Sequence, residues 1–590
     1  MKQYQKLWLL ALLLLAALLL LSGCCQHDYQ EERTDPTCTA EGQITYTCTS
    51  CGDSYVGETI AAVGHRWDHE ATCKTRTCSV CKTVQRAATD HTYVATEVVD
   101  ATCQCGGYTV YTCTGCGESK QGDETSIGDH SFEPNDICRT RSCKHCSLIL
   151  PPSHEIVLAE ETQKATLLNA GSGLYRCTLC QTEWNRTIPA IDPVSTGVPV
   201  IYIKGSVNGV NKSKETPFEA SFVSEDITFD CTVTLKVQGA SSAGYPKKNY
   251  TIRFYTDKYM TKKLKFDPFG WGNESKYCLK ANYVDFSQSR NVVCGRLYGD
   301  VVQTRLEPGD PLALAPNGGA IDGYPVLVYV NGAYHGFYTM NIPKDEWMFG
   351  MDNDDVHLKQ AMLFGEVWGD SVAFKAPVPK DYVSGGWELE YCSTPDTDWV
   401  ADSFNELMTF VNNNDGAAFR AGIDQYLDVD AAIDNMLFTY LICAKDNTSK
   451  NILWATYDGK VWIPSMYDMD GVCGMFWDGK HYNAVSDMMP TMRSNGHFNF
   501  YGNNLWTKLC DNYKDEIVER YWELREGPMR TSALITRFDD FFASVPPVFY
   551  ECERKTWPGM PGPDDSTRDQ IVSYMTERLA LFDEFFSAVP

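Results

Sequence analysis

The stretch "AKDNTSKNILWATYDGKVWIPSMYDMDG", residues 444–471, sets Asp446 and Asn451 ahead of a hairpin and Asp468 and Asp470 behind it. Burying carboxylates without partners is costly, so three such groups and an amide at the ends of one hairpin ask for a shared task. "ILWAT" and "VWIPSMY" read as strands, and Asp458-Gly459 between them reads as their turn. Upstream, "DVDAAIDNMLFTYLICA" (428–444) carries Ile433, Met436, Leu437, Tyr440, Leu441 and Ala444 at helical spacing, which predicts one buried stripe. An EF-hand reading of the aspartates fails, because Val472 stands where a third oxygen ligand is needed.

Working outward, "YPVLVYVNGAYHGFYTM" (324–340) is the clearest hairpin, with Asn331-Gly332 suited to a type I′ turn. Residues 397–426 are helical in pattern. "CTVTLKV" (231–237) and "NYTIRFY" (249–255) alternate as strands around "QGASSAGYPKK", whose Gly239 and Gly244 could bring backbone N–H groups close to phosphates. "KYCLKAN" (276–282) is a further strand carrying Lys280, and Asp285 and Ser287 are candidate caps of the helix that follows. The order is strands, one helix, a strand pair, helices, a loop Asp, two strands and a closing Asp. That is the chain order of a protein-kinase fold, in which an Asp, an Asn five residues on and a later Asp converge on ATP and its metal ions.

With 590 residues, 43% of them hydrophobic, the chain is too long for one ordinary domain. A net charge of −26 argues against nucleic acid or an anionic membrane surface as the main partner. Residues 1–23 combine Lys2 and Lys6 with an apolar run from Leu7 to Leu21, too short for a spanning helix and suited to an export signal. The ending Leu21-Ser22-Gly23-Cys24 resembles a bacterial lipobox. That resemblance implies cleavage before Cys24 and a lipid on its thiol, hence an extracellular, membrane-anchored lipoprotein with residues 24–36 as a tether.

Seventeen of the 25 cysteines precede residue 181. Five CxxC pairs (Cys48/Cys51, Cys78/Cys81, Cys113/Cys116, Cys143/Cys146 and Cys177/Cys180) punctuate residues 37–190. The first and third pairs, like the second and fourth, are 65 residues apart, so two kinds of unit alternate. Each of the first four has an earlier cysteine (Cys38, Cys73, Cys103, Cys138) and a later histidine (His65, His91, His130, His154), as in "HRW", "HTY", "HSF" and "HEI". Grouped in that way, each unit offers three thiols and one imidazole, a closed structural zinc shell; disulfides are the competing reading. The fifth unit has Leu167 in place of the early cysteine, and no metal is expected there.

"KKNYTIRFY", "LKANYVDFSQSRN", "VLVYVNGAYHGFYTMNIPKDEW" and the opening stretch together resemble the blocks of the CotH kinase family, over residues 199–590. The resemblance implies an α+β chain: an atypical, bilobal protein-kinase-like domain preceded by small Cys/His-rich β repeats. It further implies ATP and a divalent metal (magnesium, manganese or calcium) as cofactors, and transfer of phosphate to serine or threonine of surface or spore-coat proteins. Position by position, Asp446 matches the catalytic-loop Asp, Asn451 a metal-holding Asn, Asp468 the metal-binding Asp, and Asp470 a supporting ligand or anchor. Lys280, Lys247 and Lys248 remain alternatives for the nucleotide lysine, beside Gly239 and Gly244; Arg290 and Asn291 also match the family, and Arg290 is a further candidate contact to the nucleotide. A non-catalytic surface adhesin with a kinase-like fold is the alternative function. No partner of nucleic-acid type is expected.

Overall fold

A computed structural model describes residues 27–68, 75–86, 91–100, 103, 106–126, 130, 132–143, 146–351 and 358–590. The export signal, Cys24 and Cys73 lie outside the described residues. The chain divides into two bodies, residues 1–157 with 176–182, and residues 158–175 with 183–590.

The first body is a series of small antiparallel sheets. Tyr29–Thr34, Gly42–Cys48 and Ser54–Ile60 form one three-stranded meander, and Tyr93–Val99, Gly107–Cys113 and Ser119–Thr125 form another. Residues 24–36, expected as a tether, therefore contribute a strand, which pairs Tyr29 with Cys48. The division also differs from repeats over 37–190 followed by a domain from 199. Most of the fifth repeat belongs to the second body, because Leu167, where the other repeats carry cysteine, is buried in that body's apolar core.

The second body mixes strands and helices. Strands β1 (Val200–Lys204), β2 (Thr216–Val223), β3 (Thr228–Val237), β4 (Tyr250–Tyr255), β5 (Lys276–Lys280), β6 (Gly323–Val330) and β7 (Ala333–Asn341) close into a barrel. Its order is β1-β2-β3-β4-β5-β7-β6, and closure comes from parallel pairing of β1 with β6. Phe222, Phe254, Phe266 and Tyr277 meet inside, largely edge to face. Asn331 and Gly332 both take positive φ, as a type I′ turn requires. Helix α1 (Arg290–Gln303) lies between β5 and β6 in the chain.

Strands β8 (Ala361–Gly365), β9 (Trp387–Cys392), β10 (Ile452–Thr456) and β11 (Ile463–Met466) make a second sheet of order β9-β8-β10-β11. Helices α2 (Asp398–Asn413), α3 (Gly416–Gly422) and α4 (Val429–Leu441) precede β10, and α5 (Asn504–Asn512), α6 (Lys514–Glu526), α7 (Thr531–Ser544), α8 (Pro547–Thr556) and α9 (Arg568–Ser587) end the chain. Helix α4 departs from the single-stripe expectation: Ala431 through Leu441 are all buried. Neighbours on several sides cover it, and its one inward carboxylate, Asp434, is met by Arg520 at 2.7 Å and Arg305 at 3.2 Å. Among the described residues no helix is long and apolar enough to cross a membrane.

Candidate active site and Cys/His clusters

Helix α4 ends at Leu441, the positive φ of Cys443 prevents its continuation, and a single 3₁₀ turn, Lys445–Thr448, presents Asp446. Asp446 is bridged to Lys450 at 2.7 Å. Beneath it, the Asn447 amide donates to the Tyr467 carbonyl (2.8 Å) and the Asn451 carbonyl (3.3 Å), tying the entrance of β10 to the exit of β11. The hairpin thus returns Asp468 and Asp470 to the level of Asp446. Asn451 and Asp468 both take left-handed φ, near 58° and 57°, a costly state for residues other than glycine and one enriched at functional sites.

Asp446, Asn447, Asp468, Asp470, Trp477 and Asn483 are among the residues lining one pocket, with about 330 Å³ of empty space open to solvent. Of the four residues expected to meet here, Asp446, Asp468 and Asp470 do so. Asn451 is not on the lining: its main chain is used by Gly365 and Tyr467, and Asn447, which the spacing did not single out, stands on the pocket instead. Burial, together with the neighbouring Asp468, pushes the Asp470 carboxyl well above the ordinary carboxylate range; Asp285 and Asp446 add to this and Lys280 opposes it.

Lys280, at the end of β5, reaches Asp468 at 3.4 Å and lies over the Tyr467 ring at 4.9 Å. Burial opposes its charge, but Tyr467, Asp468, Cys278 and Asp470 outweigh it and raise its pKa. The other expected nucleotide contacts are placed differently. Lys247 is wholly buried against Glu553 (2.9 Å), the Ala281 carbonyl and the Phe337 carbonyl. Lys248 donates to the Ala243 carbonyl at 2.7 Å, inside its own loop. Gly239 (φ 89°) is required where it stands, since a Cβ there would meet the Ser242 hydroxyl, whereas Gly244 faces open space. Tyr245 in that loop stacks on Tyr283 and feels the charge of Asp470.

Arg290 is likewise a correction. Its side chain is fully buried and all its nitrogens are engaged: Asp285, Ser287 and Ser566 on one, Gln570 on another, and the Val472 carbonyl at 2.9 Å on Nε. Next to it, the Asn291 side chain accepts from the Met469 amide at 2.9 Å. The start of α1 therefore grips the segment that carries Asp468 and Asp470 from below, a positioning role in place of a phosphate contact.

A second charged cluster sits beside Tyr467. Lys344 lies over the Phe364 ring at 3.9 Å and bridges Glu388 at 2.7 Å and Glu390. Burial pushes the Glu390 carboxyl up to about 8, with Lys344 opposing and Glu388 assisting.

In the first body, ligand-type side chains gather in a different frame from the one expected. Among the described residues, two complete sets occur, Cys38/His65/Cys78/Cys81 and Cys138/His154/Cys177/Cys180, and three partial ones, His27/Cys48/Cys51, His91/Cys113/Cys116 and Cys103/His130/Cys146. Within each set the ligand atoms lie within 4.8 Å of one another. Cys143 belongs with the last set, 3.0 Å from His130 Nδ1. The fifth CxxC pair, expected to be without metal, is thus in a full set, and His27, part of an "HDY" at 27–29, is in a partial one. Backbone N–H donors of Cys81 and Val80 and the His65 ring pull the Cys78 thiol down to about 5 in spite of burial. Cys177 is pulled down to about 6 in the same way, by Cys180, Leu179 and His154.

A search of curated proteins gives no match. The family model described as CotH kinase protein matches residues 235–581, more than half of the chain, spanning the barrel from β3, the acid pocket and most of α9. The chain belongs to the CotH kinase family.

Proposed function

We propose that the chain is an exported, lipid-anchored atypical protein kinase, transferring the γ-phosphoryl group of ATP to serine or threonine hydroxyls of surface or spore-coat proteins. The observation that carries this reading is the convergence of Asp446, Asp468 and Asp470 on one pocket, with Lys280 ion-paired to Asp468. Family membership supports the reaction class, and the Leu21-Ser22-Gly23-Cys24 ending supports the anchor. The barrel is taken as the smaller lobe of a kinase-like domain and the four-stranded sheet with its helices as the larger.

The donor set fits a divalent cation: hard oxygen ligands, one of them with its proton affinity raised by burial and by neighbouring carboxylates, and more negative charge than Lys280 neutralises. Asp468 and Asp470 would hold Mg²⁺, Mn²⁺ or Ca²⁺, whose contribution is to neutralise charge on the phosphate oxygens. Lys280, kept protonated, adds a cation on the same side. Asp446 orients the acceptor hydroxyl and takes its proton as the new P–O bond forms and the bond to the ADP oxygen breaks. Asn291 and Arg290 hold the aspartate segment in register for this.

The test is label transfer from ATP by the full chain with magnesium or manganese, together with nucleotide-induced change in Tm. Asp446→Asn should lower transfer by about 10²-fold or more, the usual weight of a general base, and keep the Tm rise. Asp468→Ala should lose both. A Tm rise without any transfer would favour a non-catalytic binding protein, and the absence of both would sink the kinase reading.

A further inference from the structure

We propose that the Cys/His repeats hold zinc in sites that each join two successive repeats, with the histidine and CxxC pair of one repeat completed by the first-loop cysteine of the repeat before it.

The strand layout dictates this frame. In the first meander His27 stands just before the first strand and the Cys48/Cys51 turn just after the second, and the pairing of Tyr29 with Cys48 puts both at one end of the sheet. Cys38 lies in the loop between those strands, at the other end. The strand Gly42–Cys48 separates them, and seven extended residues span about 20 Å. Cys38 therefore cannot close a shell with its own CxxC pair. It meets the next one instead, with its sulfur 3.7 Å from that of Cys78, while Cys81 Sγ is 3.2 Å from His65 Nδ1. The second complete set repeats the arrangement: Cys138 to Cys177 at 3.6 Å and Cys180 to His154 Nδ1 at 3.4 Å. A tetrahedral zinc with Zn–S arms of about 2.3 Å has S···S edges of about 3.8 Å, close to both values.

Three features support a metal in place of covalent pairing. Each complete set has three thiols, so any disulfide strands the third sulfur against an imidazole, whereas one zinc engages all four groups and releases the thiol protons. In the four sets nearest the N-terminus, an aromatic residue two positions after the histidine packs on its ring: Tyr29, Trp67, Tyr93 and Phe132, at 4.8–5.5 Å between centroids. That contact fixes the ring, and Nδ1 is the atom turned to sulfur in every set. Finally, Leu167 occupies the forward-cysteine position of the last repeat, where no sixth CxxC pair follows to be completed.

The experiment is metal analysis of the full chain purified under reducing conditions without chelator, backed by substitution with Co²⁺, whose absorption reports tetrahedral thiolate ligation. At least two zinc ions per chain are expected, one for each complete set. Cys38→Ser and the double variant Cys78→Ser/Cys81→Ser should each remove one equivalent, and the triple variant should remove no more than that one. Cys177→Ser/Cys180→Ser should remove a different equivalent, and Leu167→Cys should add none. Cys38→His, which keeps a ligand, should retain the metal and guard against a folding failure. Loss of two equivalents in the triple variant would overturn the joined sites in favour of sites within single repeats. No metal with the thiols oxidised would overturn zinc altogether.

Discussion

Asn291 accepts the amide of Met469 between the two pocket aspartates, and so helps to hold the segment that carries them. Asn291→Leu should leave the amide buried and unsatisfied, costing about 1–3 kcal/mol. The expected result is a lower Tm and a loss of label transfer in a variant whose pocket residues are all intact. His335 offers a separate test. Burial, with Lys247 nearby, pushes its imidazole down to about 4, so it stays neutral in the fold while the unfolded chain protonates near 6.5. Its stability contribution is therefore complete above about pH 6.5 and lost as pH falls towards 4. His335→Leu should flatten the decline of Tm with pH across that window. At this scale the sequence made Asp446, Asp468 and Asp470 legible, because carboxylates flanking a hairpin are unusual without a task. Arg290 and Lys247 were not legible, since a cation buried in an ion pair and a cation waiting for phosphate look alike in one dimension.

Among elements, the barrel depends on a tie that no local pattern announces. Lys247 runs from the glycine-bearing loop to Glu553 on α8, and Glu553 also accepts from Tyr334 and from the Phe337 amide of β7. Neither member of the pair is exposed. Glu553→Gln should cost about 3–5 kcal/mol by stranding the ammonium, while Lys247→Met with Glu553→Leu should recover much of that loss, as measured by thermal or denaturant unfolding. The β6–β7 hairpin and the β10–β11 hairpin could be read from Asn-Gly and Asp-Gly because their signals are local. Closure of the barrel could not, because β1 meets β6 across more than a hundred residues and only three-dimensional packing selects that partner. The same limit explains α4: a stripe at helical spacing identifies one apolar face, and the other faces are covered by elements far away in sequence.

For the whole molecule, the two bodies should respond differently to chelation. Prolonged treatment of the full chain with a zinc chelator should raise hydrogen exchange across the strands of residues 29–143 and at 176–182, and leave both the exchange of residues 199–590 and the ATP-induced Tm rise in place. The tally of cysteines and the 65-residue alternation were plain in the sequence, yet the frame was not. Histidines fall between successive CxxC pairs, so spacing alone assigns them equally well to the pair before or the pair after, and only the strand directions break the tie.

The borrowed cysteine gives the array a direction. Synthesis runs from the N-terminus, so each of the first four repeats emerges holding a thiol that has no use until its successor appears. Each new histidine and CxxC pair then arrives at a waiting ligand, and closure advances in order along the chain. Leu167 ends that progression: the last repeat offers no further hook, and its side chain turns into the apolar core of the domain that follows.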